Sequence, residues 1–112
     1  MGVSNAEMAD SLTRTITERL PIGCPEPMAA GIRRLLLRAF EADADVTDAI
    51  SALAEAADGA GDEADVLAMR LNDESAIVRM RDRESVCRCI AEAARGVLDE
   101  PPAGIIALCR SR

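Results

Sequence analysis

Apolar residues recur along this chain at intervals of three and four between proline, glycine and acid-rich breaks, a period that predicts helices rather than strands. Ser4 and Glu7 are spaced as a capping box, in which each side chain satisfies an orphan backbone donor at a helix start. A first helix is expected there, with Met8, Leu12, Ile16 and Leu20 as its apolar stripe and Pro21 and Gly23 as its stop. Pro25 and Pro27 hold the next stretch extended until Pro27, tolerated in a first turn, opens a second helix to about Ala42. Its inner face should be Met28, Ile32, Leu35, Leu36, Ala39 and Phe40, leaving Leu37 outside that face among Arg33, Arg34, Arg38 and Glu41.

A third helix is expected from about Thr47 to Asp58, capped by Asp45 or Thr47, with Val46, Ile50, Leu53 and Ala57 inward and Gly59 as its stop. The segment from Gly59 to Asp62 then reads as a short hinge. Asp62 would cap a fourth helix bearing Val66, Leu67, Met69 and Leu71, interrupted near Asn72 and Asp73. A further helix, from about Ser85 to Leu98, presents Val86, Ile90, Ala93 and Val97 before Pro101 and Pro102 end it. The tail, Ala103 to Cys109, reads as a short apolar turn or helix that could dock or exchange. Within Val78 to Ile90, the stretches Val78 to Arg81 and Cys87 to Cys89 alternate with period two, as a hairpin turning at Arg83 to Glu84 would. Helix is preferred there, because no Gly or Asn marks a turn and no third strand exists to support a lone hairpin. The expectation is an all-α single domain over residues 1–112, a compact bundle of about five helices.

Composition changes this picture by what it omits. The 112 residues include no His, Lys, Trp or Tyr, and Phe40 is the one aromatic. General acid-base, Schiff-base and base-stacking chemistry lose their usual side chains, so a binding protein is expected rather than an enzyme, with no catalytic residues and no cofactor. A core of Ala, Leu and Ile must be thin, and thin cores gain by pairing, so a homodimer is expected.

The net charge is −7, and all 13 cationic residues are Arg. Glu41 to Asp65 holds nine acids and no base, a belt that repels phosphate and anionic lipid and argues against nucleic acid and membranes as partners. Arg79, Arg81, Arg83, Arg88 and Arg95 form the main basic run. Asp82, Glu84 and Glu92 are interleaved with it, so it reads as intrahelix ion pairs, or as contact with an acidic protein or with the belt of a second copy. The first residues carry no basic and apolar signal segment, and no apolar run approaches the roughly 18 residues of a membrane span. A cytoplasmic protein with reduced thiols is the expectation.

Three motifs fall short. Cys87 and Cys89 with Cys24 and Cys109 could supply four thiolates, but residues two apart on a helix point about 200° from each other, so no metal site is expected. Asp43, Asp45 and Thr47 open like a calcium loop, yet Asp48 and Ala54 stand where the turn Gly and the bidentate Glu belong. Gly59, Gly61 and Ala64 imitate a dinucleotide fingerprint with no preceding strand and with Asp62 and Glu63 facing a would-be pyrophosphate.

In its whole length, from Met1-Gly2-Val3-Ser4 to Leu108-Cys109-Arg110, and above all over Ile32 to Phe40 and Arg83 to Leu98, the chain resembles the QslA-type bacterial quorum-sensing antiactivators. The resemblance implies a homodimeric helical inhibitor that binds the ligand-binding domain of a LuxR-type transcription activator. By blocking the activator's dimerisation it would prevent DNA binding. The residues themselves offer the outer face of helix two, Arg33, Arg34, Leu37, Arg38 and Glu41, as a partner surface, an apolar residue framed by cations. Chance exposure of Leu37 or contact with a neighbouring helix is the plainer reading of that position. A small thiol sensor or adaptor, switching its assembly through Cys87, Cys89 or Cys109, is the functional alternative.

Overall fold

With so few large side chains, the interior has to come from helices packed closely together. The computed structural model, which describes residues 3–21 and 25–110, has five: α1 (Asn5–Glu18), α2 (Glu26–Glu41), α3 (Val46–Arg70), α4 (Glu74–Asp99) and α5 (Ala103–Arg110). No strand occurs among the described residues, so the expected all-α architecture is the one observed. Gly23 and Cys24 lie outside the described residues.

In α1 the Ser4 Oγ accepts from the Glu7 backbone N–H at 3.2 Å, the Ser arm of the expected capping box. Met8, Ala9, Leu12 and Ile16 are buried along one stripe. Thr13 is buried with them, its hydroxyl donating to the Ala9 carbonyl at 2.6 Å, so no polar atom is stranded.

The second helix corrects the expected face. Ile32, Leu36 and Phe40 are buried, one every four residues, while Met28 and Ala39 are half-buried. Leu35, expected inside, is 40% exposed; Leu37, expected outside, is half-buried against the core. These two positions lie about 100° to either side of Leu36. The side of Leu37 also carries Arg33, which pairs with Asp10 of α1, so α1 covers that flank and leaves the other open.

A Schellman turn ends α2. Asp43 adopts φ 65°, the Asp43 N–H donates to the Phe40 carbonyl at 3.0 Å, and the Ala44 N–H donates to the Ala39 carbonyl at 3.0 Å. Asp45 then caps α3, accepting from the Asp48 N–H at 2.8 Å. Two of the residues that imitate a calcium loop are therefore helix punctuation.

The hinge expected at Gly59 to Asp62 does not exist: α3 runs unbroken through it to Arg70. Glycine stops a helix by adopting positive φ, and no described glycine does so. Gly61 instead makes room, since a Cβ there would sit 3.1 Å from the Arg88 Cζ. The break falls at Leu71 to Asp73, and α4 begins at Glu74 rather than Ser85. Val78 to Ile90 lies wholly inside it, helix as preferred.

Together α3 and α4 form an antiparallel hairpin about 37–39 Å long at 1.5 Å per residue. Against it α1 and α2, about 21 and 24 Å, cover only part. The main core accordingly runs along α3 no further than Ala57 and along α4 from Ile90 onward, with α5 docked by Ile105 and Leu108. Beyond that point Ala64 and Ala68 are buried outside the main core cluster. The protruding hairpin makes the molecule 55 × 26 × 24 Å, with a radius of gyration of 15.0 Å where a compact chain of this length would have about 13 Å.

Candidate functional site

Charge is distributed along the hairpin in register. On α4, Arg81, Arg88 and Arg95 recur every seven residues; on α3, Asp58 and Asp65 do the same. Two antiparallel helices with that repeat bring the two rows together. Arg95 pairs with Asp58, and Arg81 with Asp65. Arg88 reaches the Asp62 carboxylate at 2.7 Å, the Asp58 carboxylate at 3.4 Å and the Asp58 carbonyl at 3.2 Å across the gap left by Gly61. Glu84 adds pairs within α4, to Arg81 at 2.9 Å and Arg88 at 3.7 Å. The acidic belt thus meets the arginine run within one chain, with intrahelix pairs as a supplement. Its sequence signal was the matching heptad spacing of 81, 88 and 95 against 58 and 65.

These contacts tune the charges they join. The hydrogen bond from Arg95 holds Asp58 below its ordinary carboxylate value, its partial burial opposing, with further help from the charge of Arg95 and from Arg88. Arg88 and Arg81 are each pushed upward, chiefly by hydrogen bonds to Asp62 and Asp65 respectively.

The five residues proposed as a partner surface are divided by the structure. Arg33 is tied to Asp10, and Leu37 packs on the core, so these two belong to the α1–α2 contact. Arg34 and Arg38 are exposed, and Glu41 is exposed at the end of α2. The exposed leucine framed by Arg34 and Arg38 is Leu35. A helix wheel drawn on one face missed it, because α1 covers the Leu37 flank of α2 and leaves the Leu35 flank open, which turns the buried stripe away from Leu35.

Arg34, Leu35 and Arg38 belong to a groove of about 550 Å³ where α2 crosses the hairpin. Its floor is Met28, Ile32, Leu53, Ala57, Val86 and Ile90, with Ala56, Ala60 and Gly31 along the walls and Arg83 on the α4 side. Cys87 also lines it, half-buried. Burial pushes this thiol upward, against the weaker opposing influence of Arg83 and Arg88.

The distal half of the hairpin offers a second surface. Val66, Leu67, Met69, Leu71 and Val78 are exposed there, Met69 by 74% and Val78 by 54%. Five large apolar side chains within one turn-connected segment are a concentration that isolated surface residues do not reach.

Cys87 and Cys89 sit in one helix and face apart, and Cys109 is exposed on α5. Among the described residues no cluster of His, Cys, Asp and Glu could hold a metal ion, and no helix is long and apolar enough to cross a membrane. In comparisons with known proteins the chain matches no family model, no curated protein and no solved structure.

Proposed function

We propose that this chain is a cytoplasmic, homodimeric protein-binding inhibitor, an antiactivator that sequesters a LuxR-type quorum-sensing activator. It binds the activator's ligand-binding domain, blocks its dimerisation and so keeps it from DNA. The observation that carries the protein-binding part is the bare apolar end of the α3–α4 hairpin, where Val66, Leu67, Met69, Leu71 and Val78 face solvent. Occlusion of a dimerisation surface needs apolar side chains bordered by charge; in sequence Glu63 and Arg79 flank this segment, and Arg70 and Glu74 are interspersed within it. The resemblance over Ile32 to Phe40 and Arg83 to Leu98 supplies the choice of partner.

Co-expression with the ligand-binding domain of a LuxR-type activator tests this reading. A stable complex is expected in which light scattering finds the activator no longer paired with itself. Leu67→Asp combined with Met69→Asp should abolish the complex and leave the helical circular-dichroism signal unchanged. An activator that remains dimeric and elutes apart from this chain overturns the antiactivator reading, and a double variant that still binds overturns the assignment of the surface. For the thiol-sensor alternative the favourable observation is the exposure of Cys109, whereas burial keeps Cys87 in its less reactive protonated form.

A further inference from the structure

Of the eleven arginines whose side chains are described, four hold a carboxylate and seven hold none among the described residues. Arg14, Arg19, Arg70 and Arg79 of those seven stand outside the groove between α2 and the hairpin, and three stand in it. Arg33, Arg81, Arg88 and Arg95 each hold a carboxylate. Arg34, Arg38 and Arg83 hold none among the described residues, and all three line the groove between α2 and the hairpin, whose lining includes no acid. In a chain with 20 acids and 13 bases, three unneutralised guanidinium groups around an apolar floor mark a place for an anion supplied from outside.

The groove's size and walls narrow the choice. Its volume of about 550 Å³ falls within the roughly 300–1000 Å³ of small-molecule sites. Gly31, in mid-helix, leaves backbone bare on the wall: a Cβ built there meets nothing within 4 Å, so no packing requirement accounts for a residue that weakens the helix. An unbranched chain can lie against such a wall, with its head at the arginines.

We propose that this groove binds a straight-chain aliphatic carboxylate, the anion held by Arg34, Arg38 and Arg83 and the tail laid over Met28, Ile32, Leu53, Val86 and Ile90. The site is separate from the bare hairpin end, so it stands whether or not the antiactivator reading does.

Calorimetric titration with octanoate, decanoate and dodecanoate, each below its micelle concentration, provides the test. Saturable binding of one molecule per chain is expected, tightening about fourfold for each added methylene. Dodecanoate should also slow maleimide labelling of Cys87 while leaving that of Cys109 unchanged. Gly31→Leu, which fills the groove and favours the helix, should abolish binding with the helical signal intact. Arg34→Gln with Arg38→Gln and Arg83→Gln should weaken dodecanoate at least tenfold, and Arg38→Gln alone gives a smaller loss if the triple variant is unstable.

Equal affinity for dodecyltrimethylammonium would overturn the proposal by removing the role of the arginines. Unchanged binding by Gly31→Leu would place the ligand elsewhere, and absence of saturable binding would overturn the site. Protection of Cys87 that instead grows with protein concentration would assign the groove to a second copy, and protection only by an added acidic protein would assign it to that partner. Either outcome also overturns a small-molecule site.

Discussion

The two halves of the α3–α4 hairpin are built from similar residues and meet different fates. Near its open end, Leu53, Ala57, Ile90, Ala94 and Val97 are buried beneath the cover of α1, α2 and α5. Near its turn the same two helices have only each other. Ala64 and Ala68 are buried, while Val66, Leu67, Met69 and Val78, which are larger, stand in solvent. A hairpin that served stability alone would end where its cover ends; this one continues for several turns with apolar side chains on its surface. The difference separates residues that hold the fold from residues left for contact.

Truncation should expose that division most strongly. Leu53→Ala, in the covered half, is expected to cost about 3 kcal/mol, the transfer free energy of the lost methyl groups plus the cavity they leave. Val78→Ala, in the bare half, should stay within about 0.5 kcal/mol. Urea unfolding followed by circular dichroism measures both. Equal losses would mean that the distal half is covered in solution, and a transition midpoint that rises with protein concentration would identify a second copy as the cover.

The two hairpin glycines sharpen the comparison at smaller scale. Gly59→Ala meets nothing within 4 Å and should stabilise the protein by about 1 kcal/mol through helix propensity and a less flexible unfolded chain. Gly61→Ala gains the same propensity but places a methyl group 3.1 Å from the Arg88 Cζ. Its benefit should be visibly smaller, because the guanidinium must shift from the bonds it makes to Asp58 and Asp62. Matching gains at the two positions would show that Arg88 moves without cost.

Legibility from the sequence follows the same division. The all-helical class, the starts of α1, α2 and α3, the Ser4 and Asp45 caps and the stripes of α1 and of Ile32, Leu36 and Phe40 were readable, because period and capping are local; the unbroken length of α3 and the early start of α4 were not. Gly59 and Gly61 misled because a glycine held inside a helix has the same letter as one that ends it: Gly61 admits Arg88 from α4, and Gly59 sits exposed in open space with helical φ. Leu35 and Leu37 exchanged roles because one helix wheel carries no record of which flank of α2 a neighbour covers, and α1 covers that of Leu37. The groove joins Arg34 and Arg38 to Arg83, about fifty positions away, and only the crossing of α2 over the hairpin brings them together. Arg34 and Arg38 were visible as cations beside a leucine; their lack of an internal partner was not.

The smallest effect expected is the pH dependence carried by Asp58, and its sign is fixed by the ladder. The carboxyl is held below its ordinary value in the folded chain, chiefly by the hydrogen bond from Arg95. As pH falls, the unfolded chain takes up this proton first, near the ordinary carboxylate value of about 4. The stabilising contribution of Asp58 is therefore complete above that range and is lost as pH falls through the lower folded value. Asp58→Asn should lower the melting temperature relative to the wild type at pH 6, and the gap should close as both are taken toward pH 2.5. Because the pair is exposed, about 0.5 M salt should narrow the gap at pH 6 as well. A gap that stays constant across the titration would mean that Asp58 contributes through packing of α3 on α4, and that the heptad rows of acids and arginines set register without adding charge-dependent stability.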